Sequence, residues 1–260
     1  MFLCAAGDIH GALDRLYRDV LAFEGALGLR FDLVLHVGDF GVWPNADRVD
    51  RATREHEGAG DFPSWHAGAQ AVPRRTVFIK GNHEDFEWLH ERAGTEVLPG
   101  LTYLANGQVL EIGTETSASI RVGGIGGCFG PSNYERPSAR LQGYARRHFT
   151  RDEVERLCEQ GSVDVLLLHD APAGVEFVRR RGSREQRYVS EAAGLAEAVR
   201  RTRPRVCFFG HHHRRVDAEI DGVRCIGLNK VARPGNLVAV EIAATAAGFR
   251  ILGEWPRAGG

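Results

Sequence analysis

Side chains that could bind a cation or move a proton stand directly after apolar runs in this sequence: Asp8 and His10, Asp39, Asn82 and His83, His169, then His211 and His213. Asp8 and His10 are two residues apart, so in an extended segment both leave the same face toward one ion; His211 and His213 repeat the spacing. Taken singly, each is also ordinary turn chemistry or a satisfied polar residue at a strand end. As an ordered set they form a donor group rich in imidazole and carboxylate with no obligatory cysteine. Such a set suits Mn, Fe, Zn or Ni better than calcium or an iron–sulfur cluster. It also exceeds the ligand set of one tetrahedral zinc. Two divalent transition-metal ions about 3.5–4 Å apart, sharing a carboxylate, would stabilise both the attacking and the leaving oxygen of a displacement at phosphorus.

The elements that must position these groups can be read around them. Apolar runs at Met1–Ala6, Asp32–Val37, Thr76–Lys80, Val163–Leu168 and Arg205–Phe209 read as buried strands, each delivering one of the polar blocks. In open α/β sheets ligands gather at the carboxyl ends of strands, so these loops are expected to meet in one place. Leu13, Leu16, Val20, Phe23 and Leu27 recur at helical spacing and Gly28 closes the helix. Further helices are expected over Pro44–Glu57, near Trp65–Gln70, after the capping box Thr150–Glu153, and around Glu191–Arg201. Leu101–Leu104, Gln108–Ile112 and Ser119–Ile125 read as antiparallel strands or hairpins, and the runs from Val216 to Leu252 as a strand meander.

Composition narrows the class. The 260 residues are 43% hydrophobic, ordinary for a globular protein with a full core, and no linker or repeat divides them, so one domain over 1–260 is expected. No apolar stretch reaches the roughly 18 residues of a membrane helix, which makes a cytoplasmic protein without membrane contact the default. Cys4, Cys128, Cys158, Cys207 and Cys225 are scattered, so neither a disulfide framework nor a zinc ribbon is indicated. A net charge of −1 argues against a general nucleic-acid coat protein.

The blocks Gly7-Asp8-Ile9-His10-Gly11, Gly38-Asp39, Gly81-Asn82-His83-Glu84, His169 and Gly210-His211-His212-His213, in that order, resemble the calcineurin-like metallophosphoesterases. The resemblance spans Gly7 to His213. It implies an α/β fold, a four-layer sandwich of two mixed β-sheets flanked by helices. It further implies that Asp8, His10, Asp39 and His213 hold a first metal, manganese by expectation. Asp39 would bridge to a second ion held by Asn82, His169 and His211, and a hydroxide between the two would be the nucleophile. His83 would stabilise the transition state or protonate the leaving oxygen, with Glu84 as its candidate partner. Within the superfamily, Gly38-Asp39-Phe40, Phe78 to Glu84, Val122 to Gly127 and His169-Asp170-Ala171-Pro172 are similar to the catalytic domain of RNA lariat debranching enzymes. Those enzymes typically carry cysteine where Asp8 stands, and have a further carboxyl-terminal domain for which this chain has no room. The Ser/Thr phosphatases would show Asp-Arg-Gly soon after Asp39, where Val42-Trp43-Pro44 stands.

The expected activity is hydrolysis of a phosphate ester, with a nucleotide or RNA phosphodiester preferred. The alternatives are a phosphomonoesterase, acting on a small molecule or a phosphoprotein, and a noncatalytic metal-bound scaffold. A candidate substrate-facing loop spans 130–149, where Tyr134, Arg136, Tyr144, Arg147 and His148 mix aromatic and basic groups suited to nucleotide or single-strand binding. Arg179-Arg180-Arg181 with Arg184 and Arg187 is either a solvated face or an anion-attracting rim. His36 is expected to be a hydrogen-bonded core residue, His212 structural or substrate-facing, and His56, His66 and His90 surface residues. Gly123–Gly130 reads as a tight strand connection. The oligomeric state is left open.

Overall fold

The computed structural model describes residues 1–55, 60–68, 70–113, 119–181, 184–243 and 248–256. Its strands are β1 Phe2–Ala6, β2 Leu33–His36, β3 Thr76–Phe78, β4 Glu96–Leu98, β5 Leu101–Tyr103, β6 Val109–Gly113, β7 Ser119–Ile125, β8 Val165–Leu168, β9 Glu176–Arg181, β10 Arg184–Val189, β11 Val206–Phe209, β12 Val216–Ile220, β13 Val223–Gly227, β14 Leu237–Ile242 and β15 Phe249–Trp255. The helices are α1 Leu13–Leu27, α2 Arg51–Arg54, α3 Phe62–Ala67, α4 Phe86–His90, α5 Pro131–Tyr134, α6 Arg151–Glu159 and α7 Ala193–Thr202. One mixed sheet runs β15-β14-β1-β2-β3-β5-β4 and a second β12-β13-β11-β8-β7-β6, while β9 and β10 form a two-stranded sheet.

The central strands are apolar on both faces because both faces are covered. Leu3 and Ala5 of β1 join Val165 and Leu167 of β8 and Val206 and Phe208 of β11 in the core between the sheets. Their alternate neighbours point outward: Cys4 and Ala6 pack under α1 with Leu13, Leu16, Val20 and Phe23. On the far side Leu166, Leu168, Cys207 and Phe209 pack under α6 and α7 with Leu157, Leu195 and Val199. The result is a four-layer α/β/β/α sandwich. Among the described residues no helix is long and apolar enough to cross a membrane.

Three local readings change. The stretch expected to be helical over Pro44–Glu57 breaks into a 3-10 turn, Ala46–Arg48, and α2. Asn45 caps the first by accepting from Asp47 N–H (2.9 Å) and Asp50 starts the second by accepting from Thr53 N–H (2.7 Å). β5 pairs parallel with β3 and antiparallel with β4, so it is not simply part of a hairpin. The expected carboxyl-terminal meander is divided: β12 and β13 stay in the second sheet, while β14, with Leu237, Val238, Ala239 and Val240 buried, crosses to pair with β1 and β15 in the first. His56 lies outside the described residues.

One buried carboxylate fastens the front of the first sheet. Glu24, near the end of α1, accepts from the Phe31 N–H (2.7 Å) and from Arg74 Nε and Nη2 (both 2.7 Å), tying together the approaches to β2 and β3. Glu24→Ala would strand the guanidinium and an amide, so a loss of about 3 kcal/mol in unfolding free energy is expected. A urea midpoint shift corresponding to less than about 0.5 kcal/mol, the range of ordinary surface changes, would refute that role.

Candidate metal centre

β1, β2 and β3 run parallel in the first sheet, as do β8 and β11 in the second, so their carboxyl ends reach one edge of the sandwich. Hydrogen bonds lock the loops that leave them. The Asp39 carbonyl accepts from Ile9 and His10 N–H (3.1 and 2.8 Å), Gly11 N–H donates to Phe40 O (2.9 Å), and Gly210 N–H donates to His169 O (3.0 Å). His10, Asp39, His211 and His213 all have left-handed backbones, with φ of 48, 50, 63 and 51°. That conformation is rare for residues other than glycine, and four of the seven such residues among the described ones gather here.

Asp8, His10, Asp39 and His213 each offer a ligand atom within 4.8 Å of the others. His213 Nε2 lies 3.0 Å from Asp8 Oδ2 and 3.2 Å from His10 Nε2, which is 3.8 Å from Asp39 Oδ2. The other oxygen of Asp39 faces a second group: Oδ1 is 3.6 Å from His169 Nε2, which is 2.9 Å from Asn82 Oδ1. The His211 ring stands beside His169, with centroids 5.1 Å apart. Asp39 therefore occupies the position between two clusters of donors. The convergence of imidazole nitrogens on buried carboxylates fits divalent transition ions. His169 Nδ1–H donates to Val37 O (2.8 Å), leaving Nε2 to present its lone pair inward.

Burial alone would raise the Asp8 pKa. The hydrogen bond from His213 and the charges of His169, His213 and His10 outweigh it, holding the carboxyl well below its ordinary range. Asp39 is lowered in the same way, against burial, by His169 and His10. His211 is pushed down to about 4 by burial and by His169. His36 is fully buried, accepts from Gly38 N–H (3.2 Å), and is driven down to about 3 by burial, so it stays neutral inside the core.

His83 follows Asn82 and its ring centroid lies 5.4 Å from that of His10. Its partner is Asp50, whose Oδ2 is 2.5 Å from His83 Nδ1. Burial works against protonation of His83, but the Asp50 bond and the Asp39 charge win, and its pKa is raised. Glu84 does not fill the role expected of it. Its carboxylate turns back to accept from Phe40, Gly41, Val42 and Gly81 N–H (2.8, 2.9, 2.7 and 3.3 Å), shaping the loop that holds Asp39. Burial first, then the Asp39 charge, raise Glu84 to about 8 despite those bonds. Asp50 had no signal in the sequence beyond a carboxylate able to cap a turn; only the folded loop carries it to His83.

The 130–149 segment separates into residues that reach the site and residues that do not. Tyr144 is 58% exposed and shares a cavity of about 450 Å³ with Asp50, Arg51, Glu55 and His83. The Arg147 guanidinium lies 4.1 Å over its ring. Tyr134 instead packs edge-on against Phe129 and Phe149, and His148 is buried with Nδ1 3.1 Å from Cys128 O, so both rings are turned into the protein. Arg136 is exposed and donates to Asn133 Oδ1 (3.0 Å). His212 points away from the donor cluster. It bonds Asp170 Oδ1 (2.9 Å) through Nε2 and stacks on Phe177 at 4.0 Å.

A family model described as calcineurin-like phosphoesterase matches residues 3–215. The chain is 26% identical to the lariat debranching enzyme of Arabidopsis thaliana over 98% of this chain and 67% of that protein. It is 29% identical to that of Drosophila melanogaster over 67% and 34%, and 27% identical to that of Gallus gallus over 82% and 42%. The chain thus spans between a third and two thirds of the length of these relatives. In fold it is similar to the crystal structure of a Thermus thermophilus protein, TT1561, with a TM-score of 0.56, 13% identity, and coverage of 96% of this chain and 97% of that one.

Gly81 shows how closely the donors are fitted. A Cβ there would lie 2.0 Å from both the amide nitrogen and Oδ1 of Asp39. Gly81→Ala must therefore shift the Asp39 carboxylate, and manganese affinity measured by titration calorimetry should fall at least about tenfold, or about 1.4 kcal/mol. Gly25→Ala on α1, where nothing lies within 4 Å of the new methyl, should leave it unchanged.

Proposed function

The chain belongs to the calcineurin-like phosphoesterase family, and we propose that it hydrolyses a phosphodiester of the nucleotide or RNA type, using two divalent metal ions held by the donors around Asp39. Asp8, His10, Asp39 and His213 would hold one ion; Asp39, Asn82, His169 and His211 would hold the other. When bound, the pair supplies Lewis-acid charge for the phosphoryl oxygens and a nucleophile drawn from water at neutral pH. The protein groups do the rest. Asp8 and Asp39 stay ionised because the surrounding histidines lower their pKa. Asp39 Oδ1 is fixed by the Asn82 and His83 N–H groups (2.7 and 2.9 Å), so its two oxygens cannot rotate out of register with the two donor groups.

His83 supplies the proton. Asp50 holds Nδ1–H and sustains the positive charge, which leaves the Nε2–H to be given to the departing oxygen. The observation that carries the reading is this arrangement: one carboxylate divided between two donor groups, with a carboxylate-backed imidazole beside them. Preference for a diester is supported by the exposed Tyr144–Arg147 stack beside His83, which offers a surface to the second ester group, and by the likeness to debranching enzymes.

The test is a substrate panel with manganese-loaded protein. Bis-p-nitrophenyl phosphate and an oligoribonucleotide should be cleaved faster than p-nitrophenyl phosphate; good monoester turnover with both diesters untouched would make it a phosphomonoesterase. His83→Ala should lower kcat by roughly 10²- to 10⁴-fold with the metal content retained, and Asp39→Ala should lose both activity and metal. Full activity in both variants would remove this assignment of the site, and no turnover of any ester by the unaltered protein would make it a scaffold. Asp8→Cys replaces a hard donor by a soft one, so elemental analysis of that variant should show a shift from manganese toward zinc or iron; an unchanged metal profile would count against a ligand role for Asp8.

A further inference from the structure

Lys80 is a buried cation that the chemistry above leaves unused. It ends the run that delivers Asn82 and His83, and its own backbone is clamped. Gly127 N–H donates to Lys80 O (3.0 Å), and a Cβ at Gly126 would lie 2.3 Å from the same oxygen. The ammonium reaches across 66 and 68 residues of sequence to donate to Arg146 O (2.7 Å) and His148 O (3.2 Å). A cation taken out of water is costly unless such acceptors receive it, so the contact constrains both partners. Gly143–Arg147 form a 3-10 turn, and these carbonyls stand at its carboxyl end, where carbonyls outrun the turn's own N–H groups and a positive charge is favoured. The carbonyl between them, Arg147 O, accepts from Cys128 N–H (2.9 Å), so three successive carbonyls are held.

The residue bracketed by the two Lys80 contacts is Arg147, whose guanidinium lies 4.1 Å over the Tyr144 ring, and Tyr144 lines the cavity beside His83. At the other end of the turn Gly143 N–H donates to Glu87 Oε1 (2.7 Å), which is also 3.2 Å from Arg146 Nε. Packing alone does not fix the turn. Lys80 and Arg146 line a second cavity, of about 570 Å³, together with Phe86, Leu89 and Leu141. A turn with open space along one flank can shift unless polar bonds hold it. The position of the Tyr144–Arg147 pair relative to His83 is thus transmitted through the Lys80 ammonium, three residues before His83 in the same segment.

We propose that Lys80 is a positioning residue for diester selectivity: it latches the Gly143–Arg147 turn so that the Tyr144–Arg147 pair meets the second ester group of a substrate at the metal centre. The proposal rests on the phosphodiester reading, and the latch and its kinetic effect are measured separately so that each can fail alone. Lys80→Met keeps the apolar stem and removes the donors. Hydrogen–deuterium exchange of the 143–148 amides, read by mass spectrometry, should quicken at least about tenfold in that variant while exchange in α1 stays the same. With manganese-loaded protein and bis-p-nitrophenyl phosphate, Lys80→Met should raise KM at least about fivefold and leave kcat within about twofold. p-Nitrophenyl phosphate, which has no second ester group, should keep its KM. Tyr144→Ala should raise the diester KM as much, and Lys80→Met added to it should raise it little further, because both changes remove one interaction. Lys80→Gln, which retains a donor on a shorter stem, should show a smaller rise in the same direction and carries the test if the methionine variant fails to fold. Unaltered exchange, equal loss on both esters, or full additivity with Tyr144→Ala would each overturn the proposal. No turnover of the diester by the unaltered protein would instead remove the phosphodiester reading, while the exchange result decides the latch.

Discussion

The structure depends on Asp39 being held still while buried. Its carbonyl receives two amides from the Asp8–His10 turn, and its Oδ1 receives two from the Asn82–His83 turn. Its backbone sits in the left-handed region, and the chain opposite has no side chain at Gly81. Each of these constraints would be a defect elsewhere. Together they bring three loops from three parallel strands to within bonding distance of one residue, and the relative position of those strands follows from the same junction.

Burying this much negative charge requires compensation, and the compensation is local. Asp8 receives the amide of His211 (3.0 Å to Oδ2) as well as its contact with His213, and Asp39 lies between His10 and His169. Glu84, close to Asp39 but facing backbone amides, bears the remaining repulsion and has the highest pKa of the three carboxyls. The site thus separates two carboxyls that the neighbouring imidazoles hold below their ordinary pKa from one that braces a loop.

The residues that gather around Asp39 could be read from the chain because each follows a strand that is apolar on both faces, and that abrupt change from apolar to polar survives in one dimension. The four layers came from the resemblance that those motifs carry, and the observed sheets agree with it. What could not be read is which way a residue turns once it is in a loop. Tyr134 and Tyr144 have similar neighbours in sequence, yet one is sealed against Phe129 and Phe149 and the other lies open beside His83. Asp50 is an ordinary turn carboxylate until the loop folds back. The β9–β10 hairpin was not legible because the adjacent apolar pairs Phe177–Val178 and Tyr188–Val189 hide the two-residue period beneath a run of arginines.

The pairing of β1 with β14 has a consequence for how the protein comes to exist on the ribosome. The Met1 amino group reaches Ile242 O (3.0 Å), and Leu3 stands opposite Val240, so the strand that leads into Asp8 is closed on one side by residues made long after it. All of the proposed metal donors have been synthesised by His213, but the sheet edge beside β1 is still open at that moment. Until β14 arrives, a nascent chain would expose a hydrophobic strand edge next to a cluster of unneutralised acids and imidazoles, a state suited to chaperones and premature metal capture. Assembly of the centre is therefore a long-range event that follows completion of the first sheet rather than nucleating it.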